Sequence, residues 1–78
     1  MTSKQISKIV VFHRKKSGLT QKQLADIAGV GKTAVFDVEK GKETVRLNTL
    51  LKILSALNIK LNLYSPLIHL MEKYDEES

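Results

Sequence analysis

Apolar residues recur at helical spacing along most of the chain, and the period then changes. Ile6, Ile9, Val10 and Phe12 or His13 supply one apolar or mixed face. Thr2 can cap that helix and Gln5 complete a capping box, so a first helix is predicted from Thr2 to about Lys16, where Ser17-Gly18 stops it. Leu24, Ile27 and Ala28 form a second periodic group behind Thr20, which again has a glutamine, Gln23, three residues on. Val35 and Val38 are the buried positions of a third helix. Leu50, Leu51, Ile53, Leu54 and Leu57 give the broadest apolar face, on a fourth helix over about Leu47 to Leu57.

Three glycines punctuate the middle of the chain. Gly29 stands where a left-handed residue closes a helix, and Gly41 does the same after Lys40. Gly31 serves as a weaker N-cap for the third helix. A short helix, a tight glycine turn and a second helix with one polar face make the helix-turn-helix pattern of residues 20–39.

From Ile59 to Tyr64 the pattern becomes strict alternation, which predicts a half-buried strand. The sequence offers no second strand. A lone strand leaves its backbone unpaired, so the economical solution is antiparallel pairing with the same strand of a second copy. The alternative is an extended tail lying on its own domain. Ser65-Pro66 then opens a short amphipathic helix bearing Leu67, Leu70, Met71 and Tyr74. Packing on the protein's own surface is expected for it, with Asp75-Glu76-Glu77-Ser78 as a disordered acidic tail. The chain thus divides into a helical domain (1–58), a dimerisation strand built on Ile59, Leu61 and Leu63 (59–64), and the terminal helix with its tail (65–78).

Charge sharpens the picture. The net formal charge of +5 is unevenly spread: residues 1–60 carry +8 and residues 61–78 carry −3. A basic body suggests a polyanionic partner. Seventy-eight residues form one small domain, a size that gains stability from dimerisation. Cysteine is absent, which excludes a disulfide framework and a thiolate metal site and suits a cytoplasmic protein. The N-terminus has no long apolar run, so neither a signal peptide nor a membrane span is expected. Catalysis is not expected either. His13 and His69 are far apart and lack a carboxylate or thiol constellation, and there is no phosphate loop, metal spacing or cofactor motif.

Residues 14–57 resemble the phage-repressor helix-turn-helix family (Cro/C1, or Xre). The resemblance is carried by Arg14, Leu19-Thr20-Gln21, Gln23-Leu24-Ala25, Ala28-Gly29-Val30, Val35, Val38-Glu39, Gly41 and Leu50-Leu51. Residues 47–64, from Leu47-Asn48-Thr49 through the strand, are more narrowly similar to HipB-type antitoxins. The resemblance implies an all-α, lambda-repressor-like bundle of four to five helices, with a short C-terminal β-strand that pairs across a homodimer. It also implies a repressor of its own operon that binds a HipA-like serine/threonine kinase toxin. Two alternatives stand beside that reading: a module that chiefly neutralises a toxin through its C-terminal segment, and a free-standing phage-type repressor. Gly31 departs from the commoner Ser or Thr, and Asp37 is unusual at a base-facing position.

Dimers of this kind set two recognition helices in successive major grooves of double-stranded DNA, which calls for a palindromic operator. Lys32 and Thr33 are the expected base readers, with Phe36 against a thymine methyl and Asp37 accepting from cytosine N4 or orienting Lys32, Thr33 or Lys40. Gln21, Lys40, Lys42 and Arg46 are the expected phosphate contacts. Arg14 and Glu39 match the family's structural ion pair.

Overall fold

The computed structural model describes the backbone of residues 1–77 and the side chains of residues 1–74. Five helices follow one another: α1 (Ser3–Lys16), α2 (Gln21–Ala28), α3 (Lys32–Lys40), α4 (Leu47–Ala56) and α5 (Ile68–Glu77). The starts of α1 and α2 are fixed by local chemistry. Thr2 and Gln5 exchange both bonds of a capping box, as do Thr20 and Gln23. In the second box the Gln23 amide donates to Thr20 Oγ1 at 3.1 Å, and the Thr20 amide to Gln23 Oε1 at 2.8 Å.

Gly29 closes α2 at φ 72°, the left-handed region where a side chain is strained. The Val30 amide then reaches back to the Ala25 carbonyl at 3.0 Å, which completes the turn into α3. Helix α4 ends in the same manner on Asn58, at φ 58°, with the Ile59 amide on the Leu54 carbonyl at 2.9 Å. Asparagine tolerates that conformation better than other non-glycine residues.

One core joins α1 to α4. Val10, Leu24, Val35 and Ile53 are wholly buried, and Ala25, Val38, Leu54 and Leu57 surround them. Helix α3 packs against both α1 and α2, and α4 closes the bundle on α2. Among the residues expected to be apolar cover, Ile9, Phe12, Ile27 and Leu51 stay exposed, on the outer edges of their helices.

The C-terminal third differs from the sequence expectation. Residues 59–65 carry neither helix nor strand in the single chain. The amides of Lys60 to Tyr64 donate to no backbone carbonyl among the described residues. Of the three residues assigned to a dimer strand, Ile59 rests on this chain's own core, whereas Leu61 and Leu63 are exposed. The terminal helix begins at Ile68 rather than at the proline, after a turn in which Ser65 Oγ accepts from the Leu67 amide at 3.3 Å. It shares no extensive contact with α1–α4, so its Leu70, Met71 and Tyr74, and Leu67 in the turn before it, face solvent instead of packing on the domain. The backbone of α5 continues through Glu77, where a disordered tail was expected; Ser78 lies outside the described residues.

Candidate nucleic-acid interface

The site is the outer face of α3 together with the head of α2. Helix α3 turns Val35 and Val38 into the core, which leaves Lys32, Thr33, Phe36 and Lys40 exposed on its other side. Gly31 brings no side chain to the helix start, so no side chain caps the first amides of α3. Gln21, the first residue of α2, lines a shallow concavity with Lys32, Thr33 and Phe36. The glycine turn therefore brings three predicted base readers and one predicted phosphate contact to a single surface.

A polar cluster behind this surface fixes α3 relative to α1 and α2. Arg14 Nε donates to Glu39 Oε2 at 2.6 Å and Arg14 Nη2 to Glu39 Oε1 at 3.0 Å, a two-pronged pair. The third guanidinium nitrogen, Nη1, donates to the Leu19 carbonyl at 2.8 Å. Ser7 Oγ, on α1, donates to the Glu39 carbonyl. The pair is mostly shielded from water. The hydrogen bond to Glu39 raises the Arg14 pKa above its already high ordinary value, with burial acting the other way. The guanidinium thus stays charged throughout the working pH range.

Gln21 belongs to this cluster too. Its Nε2 donates to Glu39 Oε1 at 3.1 Å. The sequence assigned the Gln21 amide to phosphate alone; in the structure one donor is directed inward, which locks the head of α2 to the end of α3. Asp37 likewise differs from the expectation that it orients Lys32, Thr33 or Lys40. Its Oδ2 lies 3.6 Å from Lys42 Nζ, beyond the end of the helix. Lys40 instead stands over the Phe36 ring, with Nζ 5.4 Å from the centroid.

Asp37, Lys40, Gly41 and Lys42 line a second concavity at the C-terminal end of α3. Two of the expected phosphate contacts therefore lie together. Arg46 is exposed at the N-cap of α4 and lines neither concavity. The Ser7 bond was missed from sequence, although a serine among the apolar residues of α1 was a usable signal. The Lys40–Phe36 stack was legible as an i,i+4 pair. Among the described residues no group of His, Asp or Glu can hold a metal ion, and no helix is long and apolar enough to cross a membrane.

Comparison with known proteins agrees with this geometry. A helix-turn-helix family model matches residues 13–64. The HTH-type transcriptional regulator y4mF of Sinorhizobium fredii is 34% identical over 65 residues, spanning 83% of this chain and 86% of the relative. An HTH-type transcriptional regulator of Haemophilus influenzae is 36% identical over 56 residues, 72% of this chain and 57% of the relative. Among solved structures, a HipA–HipB–O2–O3 complex and a HipB–O4 20mer complex each contain a chain that superposes with a TM-score of 0.76 at 24% identity, covering 85% of this chain and 93% of theirs. That likeness is one of fold. The chain belongs to the Xre (Cro/C1) type of the helix-turn-helix family: it is a transcriptional regulator of that fold and not an enzyme.

Proposed function

We propose that the chain is a cytoplasmic, sequence-specific repressor that binds an inverted-repeat operator as a homodimer. The observation that carries this is the exposed Lys32–Thr33–Phe36 face beside Gln21, held rigid from behind by Arg14 and Glu39. In the major groove Lys32 donates to guanine O6 and N7, Thr33 reaches a base edge or a phosphate, and Phe36 meets a thymine methyl. Lys40, Lys42, Arg46 and the outward donor of Gln21 contact phosphates. Asp37 serves chiefly to place Lys42.

The homodimer reading is supported by the unpaired amides of Lys60 to Tyr64 and the exposed Leu61 and Leu63. Antiparallel pairing of two such segments satisfies the inward-facing half of these amides and covers one edge of each segment. It sets the two copies of α3 about one helical turn of DNA apart, near 34 Å.

The test is equilibrium binding to the DNA upstream of the chain's own reading frame, against random duplex. Selective binding that weakens steeply with salt is expected. Neutralising one phosphate contact, as in Lys40→Gln, should weaken binding to all sequences alike and flatten the salt slope by about one per half-site. Binding to the upstream fragment no tighter than to random duplex refutes the proposal.

A second role, as the HipB-like partner of a HipA-like serine/threonine kinase toxin, is favoured by the unpacked α5. Leu70, Met71 and Tyr74 recur along α5, with Leu67 in the turn just before it, and the helix has no extensive contact to the domain, as in helices that dock into a partner's groove. The fold likeness to a chain from a HipA–HipB complex supports the same reading. Truncation after Tyr64 should abolish co-purification with a kinase encoded next door while leaving operator affinity within about twofold, the size of a ±0.5 kcal/mol surface effect. Equal recovery of the kinase by the truncated chain removes α5 from that role.

A further inference from the structure

We infer that Phe36 makes this chain a reader of the C5-methyl group of pyrimidines, so that its affinity for a site responds to cytosine-5 methylation. The inference rests on α3 lying in the major groove, and it deepens that reading.

Phe36 is 48% exposed on a helix whose other large apolar residues, Val35 and Val38, are 0% and 4% exposed. Lys40 Nζ stands 5.4 Å from the centroid of the Phe36 ring, and the ring forms one wall of the concavity shared with Gln21, Lys32 and Thr33. The lysine is the next turn of the same helix, so the stack holds an apolar surface among the polar base readers.

A phenyl ring has no donor or acceptor to offer a base edge. The apolar feature of the major groove is the C5-methyl group, which thymine carries and cytosine lacks. 5-Methylcytosine presents the same methyl at the same place. Telling it from thymine takes an acceptor aimed at the cytosine N4 amino group or a donor aimed at thymine O4. The two carboxylates of α3 are engaged elsewhere: Asp37 with Lys42 at 3.6 Å, and Glu39 with Arg14 at 2.6 Å on the core side. The neighbouring Thr33 hydroxyl donates or accepts, so it suits thymine O4 and cytosine N4 alike. The Phe36 ring itself therefore discriminates by the methyl group, whichever pyrimidine carries it.

The experiment starts from a duplex that the full-length chain selects from a random pool. Each thymine is replaced in turn by deoxyuridine, which removes the methyl and nothing else. Replacing the thymine that meets Phe36 in one half-site should weaken binding about fourfold, the value of one methyl withdrawn from water. At that position 5-methylcytosine should bind tighter than cytosine by the same factor, and Phe36→Ala should bind all members of each pair equally. Because the modified duplexes are read first with the unaltered protein, a folding defect in the variant cannot produce the effect. Indifference to every thymine methyl, or discrimination retained by Phe36→Ala, overturns the inference while leaving groove reading intact. Failure of the pool to yield any selected sequence overturns groove reading itself, and this inference with it.

Discussion

Replacing Glu39 by alanine lowers the folding stability by about 3 kcal/mol, the cost of leaving a shielded partner charge unpaired. For a domain of this size that is a fall of about 12–24 °C in the midpoint of thermal unfolding, read by circular dichroism. The carboxylate receives Arg14 Nε at 2.6 Å, Arg14 Nη2 at 3.0 Å and Gln21 Nε2 at 3.1 Å. Without it the guanidinium keeps only the Leu19 carbonyl.

The sign of any pH dependence from Arg14 follows from its raised pKa. A cation whose folded pKa is raised stabilises below its unfolded pKa and is lost only as pH climbs through the folded one. For arginine that window lies above the working range, so the contribution should be constant up to strongly alkaline pH. Replacing both partners, as in Arg14→Met with Glu39→Met, should cost less than the two single changes added together, because no orphan charge remains. A Glu39→Ala midpoint within about 3 °C of the parent, well under one kcal/mol, excludes the pair as the frame of the site.

Lys32→Ala combined with Thr33→Ala should remove most of the sequence selectivity and leave only the methyl preference of Phe36. A good base contact is worth about 1–3 kcal/mol, and a dimer loses it in both half-sites. Specific affinity should therefore fall at least about thirtyfold, measured by fluorescence anisotropy on the operator. Affinity for random duplex should fall far less, since it depends on the remaining phosphate contacts. Both side chains are exposed, so the variant's stability should stay within about 0.5 kcal/mol of the parent. This separates the outcome from that of Glu39→Ala, in which the reading surface is lost because its support is lost. Undiminished discrimination in the double variant assigns base reading away from Lys32 and Thr33.

The parts of this molecule legible in its sequence are those decided within a few residues. The two capping boxes, the left-handed Gly29 and Gly41, and the buried positions Val35 and Val38 all follow from local backbone chemistry or helical period. The placement of Lys32, Thr33 and Phe36 on one face follows from the same period. Contacts across space were less accessible. The Arg14–Glu39 pair was reached through a family resemblance, whereas the Gln21–Glu39 and Ser7–Glu39 bonds depend on how three helices meet. The preference of Asp37 for Lys42 depends on the turn after Gly41, which helical spacing does not describe. The C-terminal third shows the other limit. Alternation in residues 59–64 and the stripe on α5 report that these segments have an apolar side, but not what covers it, because little of this chain does.

The central claim is that two copies of α3 read DNA in register. Selection from a fully randomised duplex pool with the purified full-length chain, followed by sequencing, tests it most directly. An enriched inverted repeat whose half-site centres lie about 10–11 base pairs apart is the predicted result. Enrichment of a single unpaired half-site, or no enrichment over the starting pool, would contradict it.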